Sequence, residues 1–400
     1  MSLPDAAWQN RPGMAPLLDA LGVQEGLTRY VGGCVRDTLL DLPVSDVDLA
    51  TRLEPNQVMR RLQEARIKAV PTGLAHGTVT AVSAGQPVEV TTLRRDVSTD
   101  GRHATIAFTD DWREDAARRD FTINALSADP ATGELFDYFG GLADLEERRV
   151  RFIGDPLQRI AEDHLRILRF FRFHARFGCG AAPHADALAA CTARANDLMA
   201  LSRERIADEL MKLLALSDPA PTAALMEQAG IFRPVLPEID AAGARRLARM
   251  VEREAAAGTP ADPLRRMAAL LPQDAAAAEA IAQRLRLSNR ATKRIAAALT
   301  GREPMPPQQL AYWTGPEAAA DAILLGDGEP GDVHALKDWA RPRLPMGGGE
   351  LIAMGLPPGP LVARTLGQVE RQWVAEGFPG RDRVQSMARA QVDQALLSSQ

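Results

Sequence analysis

The sequence contains only three cysteines among its 400 residues, Cys34, Cys179 and Cys191, and none belongs to a CxxC pair. An odd number of widely separated cysteines argues against a disulfide framework and against a zinc knuckle. The chain also starts without a basic segment followed by an apolar run, and no later stretch approaches the ~20 apolar residues that span a bilayer. We therefore expect a cytoplasmic protein without a membrane role.

Acidic and basic residues occur in nearly equal numbers, 52 Asp and Glu against 47 Lys and Arg. The net charge of −5 argues against a general nucleic-acid binder, although an overall sum conceals local patches. A composition of 46% hydrophobic and 25% charged residues is ordinary for a globular protein, which excludes disorder on a large scale. Since 400 residues exceed what one hydrophobic core usually holds, we expect at least two domains.

The pattern of elements changes near residue 155. Before it, segments rich in Val, Thr, Ile and Phe alternate with helical patterns, which indicates an α+β fold. "HGTVTAVSAGQPVEVTTLR" predicts two strands joined by a turn, and "DPATGELFDY" predicts a smaller hairpin. After it, strand signals nearly vanish and Ala, Leu and Arg recur at helical spacing. The predicted parts are an N-terminal segment (1–25), an α+β domain (26–153), a helical segment (154–216) and an all-helical remainder (217–400).

The stretch "TRYVGGCVRD" predicts a strand that ends at a glycine pair before a helix begins. Backbone N–H groups at such a helix start can face an anion, and Gly33 has no Cβ to keep a phosphate away. Arg36 lies one turn further on, where its guanidinium fork matches phosphate oxygens. Taken alone, the glycine pair is more typical of a simple turn, and Asp37 is then expected on the helix surface.

The segment "SDVDLAT" alternates Asp46 and Asp48 with apolar residues, so both carboxylates point to one face of a strand. Two carboxylates on one face repel each other, and Mg²⁺ is the divalent cation that most plausibly neutralises them. The alternative is a solvated edge strand. Glu89, between two valines in "PVEVTTLR", could complete a carboxylate cluster or simply face outward.

Residues 155–178, "DPLQRIAEDHLRILRFFRFHARFG", predict one helix with a stripe of arginines along its polar face. A basic stripe on an acidic chain indicates contact with a polyanion. Asp163 and Arg166, three residues apart, offer an acceptor beside a donor, which suits the edge of cytosine or adenine but not of uracil or guanine. The alternative is an intrahelical ion pair of about 0.3–0.5 kcal/mol.

Six segments, in order and spacing, resemble the class II tRNA nucleotidyltransferase and poly(A) polymerase family of the polymerase beta superfamily: "GGCVRD", "SDVDLAT", "HGTVTAV", "VEVTTLRRD", "RRDFTINAL" and "EDHLRILRFFRF". The resemblance is strong from about residue 28 to 215. It implies an α+β, polymerase-beta-like head with a mixed sheet, followed by an all-α neck, body and tail, and a body and tail that bind tRNA.

The resemblance also implies the roles of individual residues. Asp46 and Asp48 would hold two Mg²⁺ ions, with Glu89 as the third catalytic carboxylate. Some of the residues that would bind the nucleotide have been described above. The resemblance adds one arginine of "RRDFTINAL" and two arginines of "EDHLRILRFFRF" to them. This nucleotide-binding set is Gly33, Arg36, Arg119, Asp163, Arg166, Arg169 and Arg172.

Within the family, poly(A) polymerases tend to carry a "GRRFR"-like stretch after the DxD, whereas this chain reads "PTGLAHGTVTAV". Residues 94–109, "RRDVSTDGRHATIAFT", are similar to the flexible loop with which CCA-adding enzymes switch from C to A. We therefore predict an enzyme that adds C, C and A to the 3′ end and acceptor stem of tRNA from CTP and ATP.

The nearest alternatives are an A-adding or poly(A)-polymerase relative and a catalytically silent RNA-binding homologue. An appended phosphohydrolase domain is not expected, because the C-terminal half lacks an adjacent His-Asp pair. No stable protein partner is inferred from the sequence.

Overall fold

The computed structural model describes residues 2–99, 104–178, 180–301 and 305–397. The chain divides into two compact units, Met1–Pro237 and Glu238–Gln400. This division falls after the predicted boundary at residue 216, and the predicted segment, head and neck all lie in the first unit. Among the described residues, no helix combines the length and the apolar character needed to cross a membrane.

The first unit contains the strands. In chain order they are β1 Thr28–Val31, β2 Asp48–Thr51, β3 Lys68–Gly73, β4 Thr78–Ser83, β5 Gln86–Thr92, β6 Arg94–Thr99, β7 Ala104–Phe108, β8 Ser127–Ala128 and β9 Leu135–Phe136. Within the described residues, seven of them form one sheet in the order β3-β4-β5-β2-β1-β8-β9, and β6 pairs with β7 in a separate ribbon. Strands β2 and β5 are parallel and the other pairs are antiparallel, so the predicted mixed sheet is confirmed.

The helices of the first unit are α1 Met14–Ala20, α2 Gly33–Leu39, α3 Pro55–Glu64, α4 Trp112–Ala117, α5 Gly141–Glu146, α6 Pro156–Glu162, α7 Arg166–Phe177, α8 Ala185–Ala193, α9 Arg203–Leu214 and α10 Ala220–Gln228. Those of the second unit are α11 Ala241–Ala256, α12 Pro263–Leu270, α13 Ala275–Arg284, α14 Asn289–Leu299, α15 Pro307–Thr314, α16 Pro316–Leu325, α17 Gly348–Ala353, α18 Pro360–Ala375 and α19 Arg381–Leu397. Short 3-10 helices span Ala7–Asn10, Val23–Glu25, Leu74–His76, Thr122–Asn124, Ala195–Ala200 and Pro330–Leu336.

Both predicted hairpins form. Strands β4 and β5 pair antiparallel as far as Ser83 and Gln86, and the turn between them uses positive φ angles at Ala84 and Gly85. Strands β8 and β9 make the smaller hairpin. The predicted loop at 94–109 contains β6 and β7, and its residues 100–103 lie outside the described residues.

The N-terminal segment packs on the sheet of the head. The rings of Trp8 and Tyr30 meet edge to face with their centroids 4.7 Å apart, and Leu17 and Leu21 of this segment are fully buried. The hydroxyl of Ser83, at the end of β4, donates to the carbonyl of Gly13 at 2.8 Å. Residues 2–25 are therefore part of the same core as the sheet.

Aromatic packing fixes α7 against the head. The ring centroid of Phe121, just after α4, lies 4.9 Å from that of Phe152 and 5.2 Å from that of Phe173 on α7. Phe152 in turn stacks on Phe170 of α7 at 5.9 Å. Because three of these four rings are almost completely buried, α7 is held firmly against the head.

The prediction of one helix over 155–178 is wrong at one place. The helix is interrupted between α6 and α7, where Asp163 adopts an extended conformation with φ −152° and ψ 107°. One carboxylate oxygen of Asp163 accepts the backbone N–H of Leu165 at 3.1 Å. Such a local side-chain bond competes with the helical ladder, which explains the interruption.

The second unit is built from helices and turns throughout its described residues, as the loss of strand signals predicts. One of its cores gathers Trp373 and Val369 of α18 with Val384 and Met387 of α19. Another region carries buried charges, with Arg265 and Arg266 of α12 each bonded to Glu254 of α11.

Candidate active site

The three carboxylates predicted to be catalytic lie on, or just before, two neighbouring interior strands of the sheet. Asp48 is the first residue of β2 and is the register partner of Glu89 on the parallel strand β5. Val47 is buried between exposed Asp46 and half-buried Asp48, so the burial alternates as predicted. The predicted strand is shorter than expected, because β2 begins at Asp48 and Asp46 lies in the segment before it. Val88 and Val90 are buried while Glu89 is exposed, so Glu89 faces away from the valines as predicted.

The electrostatics of Asp48 reflect this arrangement. Burial raises the pKa of Asp48, the charges of Glu89 and Asp46 raise it further, and the charge of Arg119 lowers it. Oxygen donors that repel one another fit a hard divalent cation such as Mg²⁺. Among the described residues, no three His, Cys, Asp or Glu side chains are already gathered as a metal-binding group, so the cluster is not a closed coordination shell.

The glycine turn lies beside Arg119. Gly32 has a φ of +71°, and a Cβ at this position would lie only 2.9 Å from Nη1 of Arg119. Glycine adopts this backbone conformation without strain and leaves the guanidinium of Arg119 in place beside the turn. A Cβ on Gly33, the first residue of α2, would meet only Nη2 of Arg36 at an ordinary 3.6 Å.

Arg119 is held loosely. Its guanidinium donates to Asp115 and to the carbonyl of Asn124, each at 3.4 Å, and about a fifth of the side chain is exposed. Long hydrogen bonds and partial exposure leave donors that a ligand oxygen could accept.

Arg36 is more enclosed than the sequence indicates. It is 5% exposed, and its guanidinium donates to Asp37 at 2.8 Å and to the side-chain oxygen of Asn124. It also lies over the ring of Phe177, 4.3 Å from the centroid. The sequence alternative placed Asp37 on the helix surface. Asp37 is instead buried, and its carboxylate also accepts a hydrogen bond from Arg176 of α7 at 3.0 Å.

The predicted arginine stripe of α7 is largely neutralised by carboxylates from other elements. Arg169 donates to Asp120 with its closest N–O distance at 2.6 Å, and Arg172 donates to Glu209 of α9 at 2.6 Å. Glu209 is 3% exposed. These arginines therefore bridge the head, α7 and α9.

Asp163 and Arg166 have different partners. Both carboxylate oxygens of Asp163 accept Nη2 of Arg205 on α9, at 3.0 and 2.9 Å. Arg166 instead donates to Glu162 at 2.6 Å and to the carbonyls of Arg159 and Arg118. The expected side-by-side pair is thus replaced, in this conformation, by two separately anchored side chains.

The sequence interpretation missed Arg205, Glu209 and the ion-pairing role of Asp120. A signal existed for Glu209, because it falls on the apolar side of α9 next to buried Ile206, Leu210 and Leu213. An acid among apolar residues at helical spacing indicates a buried partner. No comparable local signal marks Arg205, since its partner lies 42 positions away.

A mixed sheet that sets a DxD strand parallel to a strand bearing a third acid, beside a glycine turn and an arginine, defines the nucleotidyltransferase class. Residues 28–151 match the family described as "Poly A polymerase head domain", and residues 182–242 match "Probable RNA and SrmB- binding site of polymerase A". The chain is 34% identical over 384 residues to CCA tRNA nucleotidyltransferase 1, mitochondrial, of Mus musculus, covering 92% of this chain and 87% of the mouse protein. The chain therefore belongs to the class II CCA tRNA nucleotidyltransferase and poly(A) polymerase family.

Two bacterial proteins show the same similarity to CCA-adding enzymes. The CCA-adding enzyme of Limosilactobacillus fermentum is 31% identical over 370 residues, which cover 88% of this chain and 90% of that protein. The crystal structure of the Bacillus stearothermophilus CCA-adding enzyme in complex with CTP superposes with a TM-score of 0.71 at 29% identity, covering 90% of this chain and 93% of that chain. The predicted family and fold class are confirmed.

Proposed function

We propose that this protein adds C, C and A to the 3′ end of tRNA from CTP and ATP without a nucleic-acid template. Relatives named CCA tRNA nucleotidyltransferase and CCA-adding enzyme, similar over most of the chain, support this activity. The structural observation that carries it is that Asp48, two residues after Asp46, is the register partner of Glu89 on the neighbouring parallel strand. The helical residues 217–400 are proposed to bind the tRNA.

Asp46 and Asp48 would hold two Mg²⁺ ions, with Glu89 beside them. When bound, the ions would activate the RNA 3′-hydroxyl for in-line attack on the α-phosphate and stabilise the departing pyrophosphate. The residues themselves contribute carboxylate oxygens: Asp48 and Glu89 lie on adjacent strands and Asp46 lies just before the first of them, and a cation would relieve their repulsion.

The triphosphate and ribose would lie near the glycine turn. Gly33 leaves room above the start of α2, and Arg119 offers a partly exposed guanidinium whose charge already acts on Asp48. Arg36 has its donors bonded to Asp37 and Asn124, so it would orient the turn and reach a phosphate only by exchanging one partner.

Asp163 and Arg166 would select the base, since a carboxylate acceptor and a guanidinium donor together suit cytosine and adenine. Oδ2 of Asp163 accepts only Arg205 among the described residues, which leaves capacity for an exocyclic amine. Arg169 and Arg172 would continue this face towards the nucleotide while fixed by Asp120 and Glu209.

The test is to incubate the purified protein with tRNA that lacks its last three nucleotides, Mg²⁺, and CTP and ATP singly or together, and then to sequence the ends. We expect CC with CTP alone and CCA with both nucleotides. Asp46→Ala should abolish transfer, whereas Glu64→Ala, at an exposed position of α3, should retain it. Transfer retained by Asp46→Ala would contradict the placement of the metal.

A second candidate, an A-adding or poly(A) polymerase activity, is favoured by the name of the family that matches residues 28–151. A tails without C in the same assay would select it, and no incorporation under any condition would select the silent homologue. A cytoplasmic location stays a prediction, because the mouse relative is named as mitochondrial.

A further inference from the structure

Arg159 of α6 is a buried cation that the proposed mechanism does not use. It is 7% exposed, and burial lowers the pKa of its guanidinium. Nη1 pairs with Glu162 at 2.5 Å, while Nε is buried and has no hydrogen-bond partner in the described part of the chain. Burial of a partly hydrogen-bonded charge costs stability. What Arg159 contributes in return therefore depends on its remaining donor, Nη2.

Nη2 of Arg159 holds the turn that follows α4. It donates to the carbonyl of Arg118 at 2.5 Å and to the carbonyl of Arg119 at 2.6 Å. One carbonyl precedes the Cα of Arg119 and the other follows it, so the two bonds constrain both peptide planes next to this Cα. Hydrogen bonds from a charged donor are among the stronger ones in proteins. Arg159 therefore fixes the backbone from which the Arg119 side chain projects.

The side chain of Arg119 depends on this backbone, because its own hydrogen bonds are long. Its guanidinium donates to Asp115 and to the carbonyl of Asn124, each at 3.4 Å, beside the glycine turn. Its charge acts on Asp48. A displacement of about 1 Å in a catalytic site can reduce the rate ~100-fold. A small movement of the backbone at 118–119 would therefore be enough to impair a ligand contact of Arg119.

The same turn receives Arg166, which is proposed to help select the base. Nη2 of Arg166 donates to the carbonyl of Arg118 at 3.2 Å, and its Nη1 donates to the carbonyl of Arg159 at 2.8 Å. The carbonyl of Arg118 is thus shared by the two guanidinium groups. The carboxylate of Glu162 is shared in the same way. Arg159 therefore connects the base-selecting Arg166 with the backbone of Arg119.

We propose that Arg159 is a positioning residue for the nucleotide, which acts through Arg119 and does not contact the nucleotide itself. It aligns the guanidinium of Arg119 with the place at which Arg166 would read the base. The inference rests on the proposed function, because that function assigns Arg119 to the triphosphate and ribose.

The test is isothermal titration of the full-length protein with CTP in the presence of Mg²⁺ and without tRNA. Arg159→Met removes the donors and keeps a long side chain, and we expect the affinity for CTP to fall about tenfold. Arg159→Lys keeps the charge without the guanidinium fork and should lose about threefold. Arg194→Met, at a partly exposed arginine paired with Asp197, is the matched control and should bind CTP as the parent does.

Two further measurements separate positioning from a general loss of stability. Arg159→Met combined with Arg119→Ala should bind CTP with about the affinity of Arg119→Ala alone, because Arg159 acts through Arg119. In steady-state addition of C, the KM for CTP should rise about tenfold in Arg159→Met, whereas the KM for tRNA should stay at the value of the parent. Far-UV circular dichroism checks folding. If Arg159→Met does not fold, the comparison with Arg119→Ala is made with Arg159→Lys.

A reduced affinity for CTP that disappears in the Arg119→Ala background supports the proposal. An affinity of Arg159→Met equal to that of the parent, or losses that multiply in the double variant, overturns it. A parent protein that binds CTP but transfers no C contradicts the proposed function, and the comparison of affinities then still decides the role of Arg159. A parent protein that binds no CTP contradicts both.

Discussion

Asp48 on β2 and Glu89 on β5 are register partners in parallel strands, so two acidic side chains stand side by side on one face of the sheet. Burial and then the charge of Glu89 raise the pKa of Asp48. Because the folded state holds the Asp48 proton more tightly than the unfolded state, ionisation of Asp48 destabilises the fold as the pH rises. The pair is therefore retained at a cost in stability, as is typical of functional sites.

Asp48→Asn should abolish nucleotidyl transfer and, in metal-free protein at pH 7, increase the free energy of unfolding by about 0.5 kcal/mol. The increase corresponds to the repulsion of like charges on adjacent strands, roughly 0.2–1 kcal/mol. Urea denaturation at several pH values measures it. The gain should shrink as the pH falls towards and below 3.8, the ordinary pKa of an aspartate, because Asp48 of the parent is then protonated. Glu64→Gln, at an exposed acid of α3, is the control, and a less stable Asp48→Asn would contradict the prediction.

Glu209→Ala should lower the free energy of unfolding of the first unit by about 3 kcal/mol. Glu209 is buried and receives Arg172 at 2.6 Å, so its removal leaves a guanidinium without its charge partner. Differential scanning calorimetry measures the loss, and the KM for CTP should rise because Arg172 loses its anchor. The neighbouring Asp208→Ala, at an exposed acid paired with Lys212, provides a matched control on the same helix. An equal free energy of unfolding in the two variants would show that Glu209 does not stabilise the fold.

Features that depend on neighbouring residues in the chain, such as strands and hairpins, could be predicted from the sequence. Alternation around Val79 and Val88 predicted the β4–β5 hairpin, because one face of each strand is buried. The spacing of Asp46 and Asp48 predicted two acids on one face and left the position of Glu89 open. The strand register brings Asp48 and Glu89 together. No single motif indicated that the strands of Asp48 and Glu89 are neighbours. Only the resemblance to a family implied that the three acids belong to one site.

Long-range partners could not be predicted in the same way. The arginine stripe indicated a solvent-facing polyanion site, yet Arg169 meets Asp120 from 49 positions away and Arg176 meets Asp37 from 139 positions away. The apolar spacing typical of a helix also continues past Asp163, so the sequence predicted one unbroken helix. The break depends on a single bond to the Asp163 side chain, which does not change that spacing. Such contacts depend on tertiary packing, which periodicity does not encode.

Arg205→Ala should reduce discrimination between CTP and UTP by about tenfold, with a smaller change in the rate of CTP addition. Arg205 holds both oxygens of Asp163, and without it the carboxylate can rotate away from the orientation that accepts an exocyclic amine. Sequencing of tRNA ends extended in mixed nucleotides measures misincorporation. Arg194→Ala removes another partly exposed arginine ion pair of the neck and should leave fidelity unchanged. Unaltered fidelity in Arg205→Ala would show that Asp163 is oriented by its bond to Leu165 alone.

The second unit contains a charge network in which the pKa of Asp262 is lowered, so the contribution of Asp262 to stability changes with pH in a definite direction. Arg294 donates to Asp262 at 2.7 Å and to Asp321, which is 1% exposed and also receives Arg265. Burial opposes ionisation of Asp262, but the Arg294 hydrogen bond and the backbone N–H of Arg265 prevail and lower its pKa. A carboxylate with a lowered pKa stabilises the fold above its unfolded value of 3.8, and this contribution is lost as the pH falls through the folded value.

Asp262→Asn should therefore lower the free energy of unfolding of the second unit by about 1–2 kcal/mol at pH 7, and the difference from the parent should shrink below pH 3.8. The asparagine can still accept the N–H groups of Leu264 and Arg265 at the start of α12, so the change isolates the charge from the helix cap. Urea denaturation followed by circular dichroism between pH 3 and 8 measures both quantities. Asp327→Asn breaks an exposed ion pair with Arg249 in the same unit and should have little effect at any pH. A deficit in Asp262→Asn that stays constant down to pH 3 would mean that packing, and not the ion pair with Arg294, accounts for the contribution of Asp262.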